Sequence, residues 1–374
     1  MIAADHKLQR PSLAKLLVID ADGHIAHAPR SAFVGLLRPG DLVIANDAAT
    51  LPASLHGRHL PSGEPIEVRL AGRRSLAADD VAEFAAIVFG AGDFRTRTED
   101  RTPPPSLAPG DRLVLGPLAA TVERLLDHKR LAALRFDGSP AAIWAGLARH
   151  GRPIQYAHIA TPLALWDVWT PIAGPPVAFE PPSAGFALDW QALAVLRARR
   201  VGFATITHAA GLSSTGDDAL DRRLPFDEPY CIPPATARAI PRTRARGRRI
   251  VAIGTTVVRA LENAALRDGR VREGEGMATR RIDAASDLRV VDAILSGTHQ
   301  PGTSHYELLR AFTNDATLRR ADDELEAHRY RTHEFGDSVF IERKRVSAPT
   351  KRVGEPARLS GRISQGRSML RRSP

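Results

Sequence analysis

The clearest pattern of apolar residues in the chain lies at positions 248–265. Apolar residues at 250–253 predict a short buried strand, Gly254 interrupts the pattern, and apolar residues at 257 or 258, 261, and 264 or 265 then recur at helical spacing. The hydroxyl of Thr255 or Thr256 is suited to cap this helix, and Gly269 is predicted to end it. The segment is therefore predicted to form a strand, a tight turn and a helix.

This turn also offers a simple ligand site. Free amide groups and the positive end of the helix dipole at Gly254, Thr255 and Thr256 favour the binding of a carboxylate or a phosphate. A plain connection between two elements is the commoner use of such a turn. The pattern alone therefore leaves both interpretations open.

Comparable patterns recur along most of the chain. Short apolar runs predict further strands at 16–20, 42–45, 201–207 and after the turn at 334–336, whereas 288–295 fits a strand or the start of a helix. Apolar residues at helical spacing predict helices at 189–200, 234–246, 306–312 and 322–329. Mixed strands and helices of this kind predict an α/β domain.

Residues 57–152 have a different pattern. Short β-like runs are separated by Gly, Pro and charged turns, and they lie at 66–70, 85–89, 112–115 and 131–136. Such spacing is typical of a small antiparallel barrel or sandwich. We therefore predict an α/β catalytic domain made of residues 1–57 and 153–342, with an inserted all-β, barrel-like domain at 58–152.

The basic charge of the chain is concentrated at its carboxyl end. The whole chain has a formal net charge of +10, and residues 343–374 contain ten Lys or Arg against one acid, Glu355, which is a net charge of +9. These residues have almost no periodic apolar positions, so they are predicted to form a disordered basic tail. Two interpretations stay open for this tail: a solubilising appendage, or an arm that attracts RNA without sequence specificity.

Composition excludes several classes of protein. No apolar run approaches the roughly 20 residues that span a bilayer, and residues 1–10 lack the apolar core of a signal peptide. A cytoplasmic protein is therefore expected. The single cysteine, Cys231, excludes an internal disulfide and a metal site with several cysteines.

Polar residues follow several of the predicted strands. Asn46 and Asp47 come directly after the strand at 42–45, and His208 follows the strand at 201–207. The carboxyl ends of buried strands are where open α/β sheets bind ligands, although Asn and Asp also serve simply as turn residues. The loop at 296–304 is rich in Gly, Pro, Thr and Ser and contains His299, which makes this histidine a functional candidate.

Taken together, these segments resemble the S-adenosylmethionine:tRNA ribosyltransferase-isomerase family of queuosine biosynthesis along nearly the whole predicted folded length. Each motif alone is weak, but their order and spacing are specific. The residues that carry the resemblance are Leu36 to Leu42 (Leu-Leu-Arg-Pro-Gly-Asp-Leu) with Asn46 and Asp47; Pro182, Ser183, Ala184 and Gly185; His208 with Gly211; Glu228 with Tyr230, Ile232 and Pro233; 250–262; 291–295; His299, Pro301 and Ser304; and Tyr330 and Arg331 with Phe335, Gly336 and Asp337.

The resemblance implies a specific reaction. In this family the ribosyl part of S-adenosylmethionine is transferred to 7-aminomethyl-7-deazaguanine at the tRNA wobble position and isomerised, which gives epoxyqueuosine and releases adenine and methionine. S-adenosylmethionine is then a co-substrate and tRNA the partner. No other cofactor, no metal and no membrane are expected, and the protein is expected to be a monomer.

The resemblance also implies roles for individual residues. The proton steps are assigned to His208 and His299, with Glu228 and Asp47 as carboxylate partners, because histidine is suited to proton transfer near neutral pH. The residues expected to bind substrate are Asn46, Ser183, Gly185, Gly254, Thr255, Thr256, Arg259, Ser304 and Asp337.

Several polar positions depart from the family pattern. Phe186 to Asp189 stand where the family has Leu-His-Phe-Thr, Ala48 and Ala49 stand where it has Thr-Arg, and Ser54 replaces a second arginine. Replacing an arginine by alanine removes a bidentate contact to phosphate or carboxylate. Two other hypotheses therefore stay open: a diverged paralogue that acts on another acceptor, and a non-catalytic RNA-binding protein that uses the basic tail.

Overall fold

The computed structural model describes residues 1–343. The predicted basic tail lies outside the described residues, apart from Arg343. The strands in chain order are β1 Ile2–Ala3, β2 Lys15–Ile19, β3 Ile25–Pro29, β4 Leu42–Asn46, β5 Ala49–Thr50, β6 Ser54–His59, β7 Pro65–Gly72, β8 Glu83–Phe89, β9 Arg112–Leu115, β10 Leu118–His128, β11 Leu131–Phe136, β12 Pro176–Ala178, β13 Gly202–His208, β14 Glu228–Ile232, β15 Ile250–Ile253, β16 Gly274–Ala278, β17 Ala293–Gly297, β18 Arg331–Thr332 and β19 Ser338–Glu342.

The helices alternate with these strands outside the segment from β6 to β11. They are α1 Pro140–His150, α2 Leu165–Val168, α3 Trp190–Ala198, α4 Asp218–Asp221, α5 Pro234–Ala245, α6 Thr255–Ala264, α7 Ser304–Leu309 and α8 Asp315–Ala327. Short 3₁₀ turns lie at Arg30–Leu36, Thr98–Asp100 and Ser183–Ala187. Among residues 1–343, every helix is too short or too polar to span a bilayer.

A nine-stranded sheet forms the main body, in the order β16-β14-β13-β4-β15-β17-β19-β2-β3. The neighbouring strands β13, β4, β15 and β17 are parallel to one another, whereas β14 and β19 run antiparallel to the strands beside them in this group. The carboxyl ends of the parallel group and the amino ends of β14 and β19 therefore lie at the same edge of the sheet.

Both faces of this sheet are covered. Along β4, Leu42 and Ile44 pack into one apolar cluster with residues of α5, α6 and α8, whereas Val43 and Ala45 pack into a second cluster with α3. Successive side chains of a strand point to opposite faces, so a strand buried on both faces has a continuous apolar sequence. This is why the runs at 42–45 and 250–253 predicted strands correctly.

A buried ion pair joins two of the central strands at the opposite edge of the sheet. The carboxylate of Asp41, just before β4, accepts hydrogen bonds from the Arg249 guanidinium at 3.0 and 2.6 Å, and Arg249 also contacts Glu342 of β19 at 2.8 Å. Asp41 also accepts a hydrogen bond from the backbone N–H of Arg38 at 2.8 Å. The Arg-Pro-Gly-Asp segment is thereby tied to the segment that leads into β15.

A second sheet closes into a barrel, with strand order β10-β11-β8-β7-β6-β9. The predicted α/β fold with an inserted small β barrel is therefore confirmed. The runs predicted at 66–70, 85–89, 112–115 and 131–136 correspond to β7, β8, β9 and β11. The strand β6 begins at Ser54, before the predicted domain boundary at residue 58, and the division into domains stays a prediction.

The barrel contains a carboxylate that is neutralised by arginine. Glu67, which is 2% exposed, accepts hydrogen bonds from Ser54 Oγ at 2.7 Å and Arg69 Nε at 2.8 Å, and it also pairs with Arg101. Burial alone would raise the pKa of Glu67, but the charges of Arg69 and Arg101 outweigh it and hold the pKa at about 2. Glu67 is therefore a buried carboxylate that stays ionised at neutral pH.

Three sequence-based expectations are corrected by the structure. The N-cap of α6 is Gly254, at φ 91° and without a side-chain cap, so neither threonine caps this helix. The helix ends at Ala264, five residues before Gly269. The helices predicted at 306–312 and 322–329 are α7 and α8, which begin earlier, at Ser304 and Asp315, because Thr303 and Asn314 cap their first turns.

Candidate active site

The carboxyl edge of the central strands collects most of the residues singled out in the sequence. Asn46 ends β4, His208 ends β13 and Gly254 follows β15. Glu228 opens the antiparallel strand β14, and Asp337 directly precedes β19. Residues from distant parts of the chain are therefore brought to one edge by strand direction alone.

Asn46 lies beneath this edge and joins three elements. Its amide Nδ2 donates to the carbonyl of His208 at 2.9 Å and to Thr256 Oγ1 at 3.4 Å, and its Oδ1 accepts from the N–H groups of His208 at 2.9 Å and Ala48 at 3.1 Å. The side chain is 1% exposed. Asn46 therefore positions its neighbours and has no free donor for a ligand.

His208 is fully buried next to an ion pair. Its Nδ1 lies 2.8 Å from the carbonyl of Thr256, which fixes Nδ1 as the donor in the neutral ring. Its Nε2 is 3.1 Å from Glu228 Oε2 without hydrogen-bond geometry and has no other partner among the described residues. Burial and the nearby Arg259 charge lower the pKa of His208 to about 3, so the ring is neutral at physiological pH.

Glu228 and Arg259 form a buried pair at the floor of the site. Arg259 Nη1 donates to Glu228 Oε2, and Nη2 donates to the carbonyls of Ala278 at 2.8 Å and Phe226 at 3.1 Å. The other oxygen of Glu228 accepts from the N–H of Gly211 at 2.6 Å. Burial lowers the pKa of Arg259 to about 10, which still leaves the guanidinium charged at neutral pH.

A cleft is lined in part by Glu228 and Arg259. Eight of the thirteen sequence-predicted site residues line it, namely Ser183, Glu228, Gly254, Thr255, Thr256, Arg259, His299 and Ser304. The amino end of α6 borders the cleft and has no acidic residue in its first turn. This end of the cleft is therefore suited to an anionic group.

His299 lines the same cleft and contacts two nearby residues. Its Nε2 is 2.9 Å from Ser296 Oγ, and its ring stacks on His305 with centroids 4.7 Å apart. Burial and the neighbouring histidines lower the pKa of His299 well below its usual range. Burial and the charge of Arg259 lower the pKa of His305 to about 4. Both rings are therefore neutral at physiological pH.

The other predicted site residues lie outside the cleft lining. Besides Asn46 and His208, they are Asp47, Gly185 and Asp337. Asp47 accepts a hydrogen bond from Thr207 Oγ1 at 2.7 Å, and Asp337 accepts from the N–H groups of Lys15 and Arg331 at 2.7 and 2.8 Å. Gly185 is buried against Thr170, where an added Cβ would lie 3.0 Å from Thr170 Cγ2. In these contacts the side chains of Asp47 and Asp337 and the backbone of Gly185 bind or pack against other parts of the protein.

Two groups of side chains bring possible metal ligands within 4.8 Å of one another. In each group two histidine rings contact each other beside one carboxylate: one pair is stacked with centroids 4.2 Å apart, and the other is tilted with centroids 4.0 Å apart. Ring contacts and ion pairing account for both arrangements, so we assign a metal to neither. The groups are His158, His333 and Glu334, and on the surface His27, Glu324 and His328.

The sequence of this chain is similar to that of a known protein family. The family model described as "Queuosine biosynthesis protein" matches residues 1–341. The chain belongs to this family. Among curated relatives, the S-adenosylmethionine:tRNA ribosyltransferase-isomerase of Geobacter sulfurreducens is 32% identical over 91% of this chain and 96% of the relative. The enzyme of that name from Sorangium cellulosum is 33% identical over 90% and 93%.

The chain is also similar to a protein of known structure. The crystal structure of the S-adenosylmethionine tRNA ribosyltransferase of Thermotoga maritima aligns with 91% of this chain and 96% of its own, at 22% identity and a TM-score of 0.48. The family membership predicted from the sequence motifs is thus confirmed by the family model and the curated relatives.

In this family member, sequence reasoning missed four residues at or beside the cleft. Glu180, Ser296 and His305 line the cleft, and the hydroxyl of Tyr156 is hydrogen-bonded to Glu180. Glu180 lies just before the Pro-Pro-Ser-Ala-Gly motif, and His305 follows Ser304. The one sign in the sequence that these residues belong to the site was that Glu180 and His305 adjoin recognised motif residues. The contacts of Glu180 gave no such sign, because the residues that make them lie 24 and 33 positions away along the chain.

Proposed function

We propose that this protein transfers the ribosyl moiety of S-adenosylmethionine to 7-aminomethyl-7-deazaguanine in tRNA and isomerises it, giving epoxyqueuosine-tRNA with release of adenine and methionine. The observation that supports this most strongly is the match to enzymes of this name along nine-tenths of the chain. The cleft at the carboxyl edge of the sheet is suited to S-adenosylmethionine, which is a small cationic co-substrate.

The amino end of α6 is suited to bind an anionic group of one of the substrates. Gly254, Thr255 and Thr256 present the first turn of this helix to the cleft, and Arg259 lies one turn further on. We assign the methionine carboxylate, or a tRNA phosphate, to this end, because helix amino ends and guanidinium groups both favour anions. Ser183 and Ser304 supply hydroxyls on the adjoining walls.

Proton removal next to the sulfonium requires an unprotonated base. His299 lines the cleft and is neutral at physiological pH, so we assign it this role. His208 is also neutral but is fully buried behind Glu228, so we assign it and Glu228 to positioning Arg259. We likewise assign structural roles to four residues that were expected to touch substrate or take part in the chemistry, namely Asn46, Asp47, Gly185 and Asp337.

The substrates imply the remaining properties. We expect S-adenosylmethionine as the co-substrate and tRNA as the partner, with no further cofactor and no membrane. A cytoplasmic location and a monomeric state remain predictions. The carboxyl-terminal residues carry enough positive charge to attract tRNA non-specifically.

Adenine release tests this function. The purified protein is incubated with S-adenosylmethionine and tRNA that carries the aminomethyl precursor base, and free adenine is measured by liquid chromatography. We expect adenine in amounts equal to the tRNA consumed, and none with tRNA that lacks the precursor. Binding of S-adenosylmethionine in calorimetry without adenine release on precursor tRNA would favour a diverged enzyme with another acceptor. Absence of both binding and release would contradict the proposed reaction.

A further inference from the structure

Glu180 differs from the buried carboxylates of Glu228 and Glu67, which are both paired with arginine. Glu228 is paired with Arg259, and Glu67 with Arg69. Glu180 is equally buried, at 8% exposed, and lines the cleft, yet within residues 1–343 no Lys, Arg or His lies at ion-pair distance from it. A buried carboxylate without a cation is costly, whereas a neutral carboxylic acid is not.

The hydrogen bonds around Glu180 point to the same protonation state. Tyr156 Oη contacts both Glu180 Oε1 and the carbonyl of Ser214, the latter at 3.1 Å. A tyrosine hydroxyl has one proton, and a carbonyl only accepts. Ser213 Oγ also donates to Tyr156 Oη at 3.5 Å. If Glu180 were ionised, Glu180 and the Ser214 carbonyl would both need the single proton of Tyr156, and one of these contacts would have no proton. A protonated Glu180 donates to Tyr156, Tyr156 donates to Ser214, and every contact is satisfied.

The second oxygen of Glu180 completes this arrangement. It accepts a hydrogen bond from the N–H of Ser213 at 3.1 Å, so the protonated oxygen is the one that faces Tyr156. The neighbouring charges are Glu334, which opposes ionisation of Glu180 and is itself paired with His158 at 3.2 Å, and Arg69, whose guanidinium lies 5.6 Å from the Tyr156 ring. Burial, followed by the charge of Glu334, raises the pKa of Glu180 to about 7.

From these contacts we propose that Glu180 is a neutral carboxylic acid in the resting cleft and donates the proton that adenine needs to leave. This inference rests on the proposed function, because it names the acid for one step of that reaction. Glu180 is the one cleft-lining carboxyl group, among the described residues, that has no cation partner.

The bond between the ribosyl carbon and the adenine nitrogen breaks, and its electron pair leaves with adenine. A lone pair of the ribosyl ring oxygen fills the vacancy at that carbon, so that the positive charge is shared between the carbon and the oxygen. The proton of Glu180 moves to adenine, which departs as the neutral base. The resulting Glu180 carboxylate accepts hydrogen bonds from Ser213 N–H and from Tyr156 O–H, which turns away from Ser214. After the product leaves, water returns a proton to Glu180.

The protonation state is tested without measuring activity. The pKa of Glu180 is about 7 in the folded protein against an ordinary value of 4.5, so between these pH values the folded state holds one more proton than the unfolded chain. Stability therefore falls as pH rises through this window. The folding equilibrium constant of the wild type should fall on the order of 10²-fold more than that of Glu180→Gln, with the exposed Glu273→Gln as the matched control. Equal slopes for wild type and Glu180→Gln in urea unfolding would overturn the proposal.

The catalytic role is tested by single-turnover adenine release across pH. Wild type should lose rate as pH rises through about 7, because the acid loses its proton. Glu180→Gln should be slower by about 10²- to 10⁴-fold and should lack this pH dependence, while Glu180→Asp regains part of the rate. Affinity for S-adenosylmethionine, measured by calorimetry, should stay within about threefold of wild type, since glutamine keeps the shape and the hydrogen bonds.

The two proposals fail in different ways. If wild type releases no adenine, the proposed function fails, while the stability curves still decide whether Glu180 is neutral. If wild type is active and Glu180→Gln releases adenine at the same rate with the same pH profile, the acid role of Glu180 is wrong. A loss of rate in Glu180→Gln that leaves the pH profile unchanged would also contradict that role.

Discussion

Replacing Arg259 by methionine is expected to lower the free energy of unfolding by about 3–5 kcal/mol and to abolish adenine release. The change leaves the buried carboxylate of Glu228 with the N–H of Gly211 and no cation, and the carbonyls of Phe226 and Ala278 lose their donor. Removing one partner of a buried ion pair costs far more than the pair contributes, because the remaining charge stays desolvated.

Urea unfolding at about pH 8 measures this effect, because free histidine is neutral there and the neighbouring His208 does not readily replace the lost cation. The matched control is Arg272→Met, which removes an exposed pair with Asp268 and should leave the stability nearly unchanged, because exposed ion pairs contribute little. The double variant Arg259→Met/Glu228→Gln should be more stable than Arg259→Met alone, since no unpaired charge remains. A cost below about 1 kcal/mol for Arg259→Met would mean that the pair is not buried as described.

Replacing Asn46 by alanine is expected to cost about 2–4 kcal/mol and to reduce activity strongly. The Asn46 amide accepts hydrogen bonds from the backbone N–H groups of His208 and Ala48, and each buried group left without a partner costs about 1–3 kcal/mol. Asn46 also donates to the carbonyl of His208, which keeps a hydrogen bond from the N–H of Ala210 at 2.9 Å. The end of β13 would then loosen from β4 and from Thr256 at the start of α6. Activity should fall because Thr256 lines the cleft.

Hydrogen exchange of the His208 amide measures this loosening directly. The amide should lose protection in Asn46→Ala, whereas central amides of β15 keep theirs. Asn314→Ala, which removes the N-cap of α8, is the control and should cost about 1 kcal/mol without altering the His208 amide. Unchanged protection at His208 in Asn46→Ala would contradict the positioning role of Asn46.

The parts of the fold that depend on local pattern were predictable. The apolar runs of β4 and β15 are buried on both faces, so their sequences identify them as strands without further information. The first turn of α6 was placed correctly, but its cap was not. A threonine next to glycine fits the usual capping preference, and only the observed φ of 91° at Gly254 identifies the glycine as the cap.

Other elements could not be read from the sequence because their pattern depends on partners far along the chain. β10 carries Glu123, Arg124 and His128 among its apolar residues, since one side of a barrel strand faces solvent. β14 contains Pro229, which argues against a strand until its position near the sheet edge is known.

In the candidate site, too, the local pattern predicts some features, whereas others depend on partners far along the chain. The motifs identified the edge of the sheet correctly, and eight predicted residues line one cleft. Whether a polar residue faces the cleft or supports it is decided by its hydrogen-bond partners, as Asn46 and Asp337 demonstrate. Glu180 was overlooked because a lone glutamate in sequence carries no sign of its missing cation.

The central claim is that this chain converts the precursor base of tRNA by using S-adenosylmethionine. Its most direct test is mass analysis of the nucleosides from digested precursor tRNA after incubation with S-adenosylmethionine and the purified full-length protein. We expect epoxyqueuosine to appear as the precursor disappears, with wild type active and Arg259→Met inactive. Precursor tRNA that stays unmodified, under conditions in which a relative from this family converts it fully, would contradict the claim.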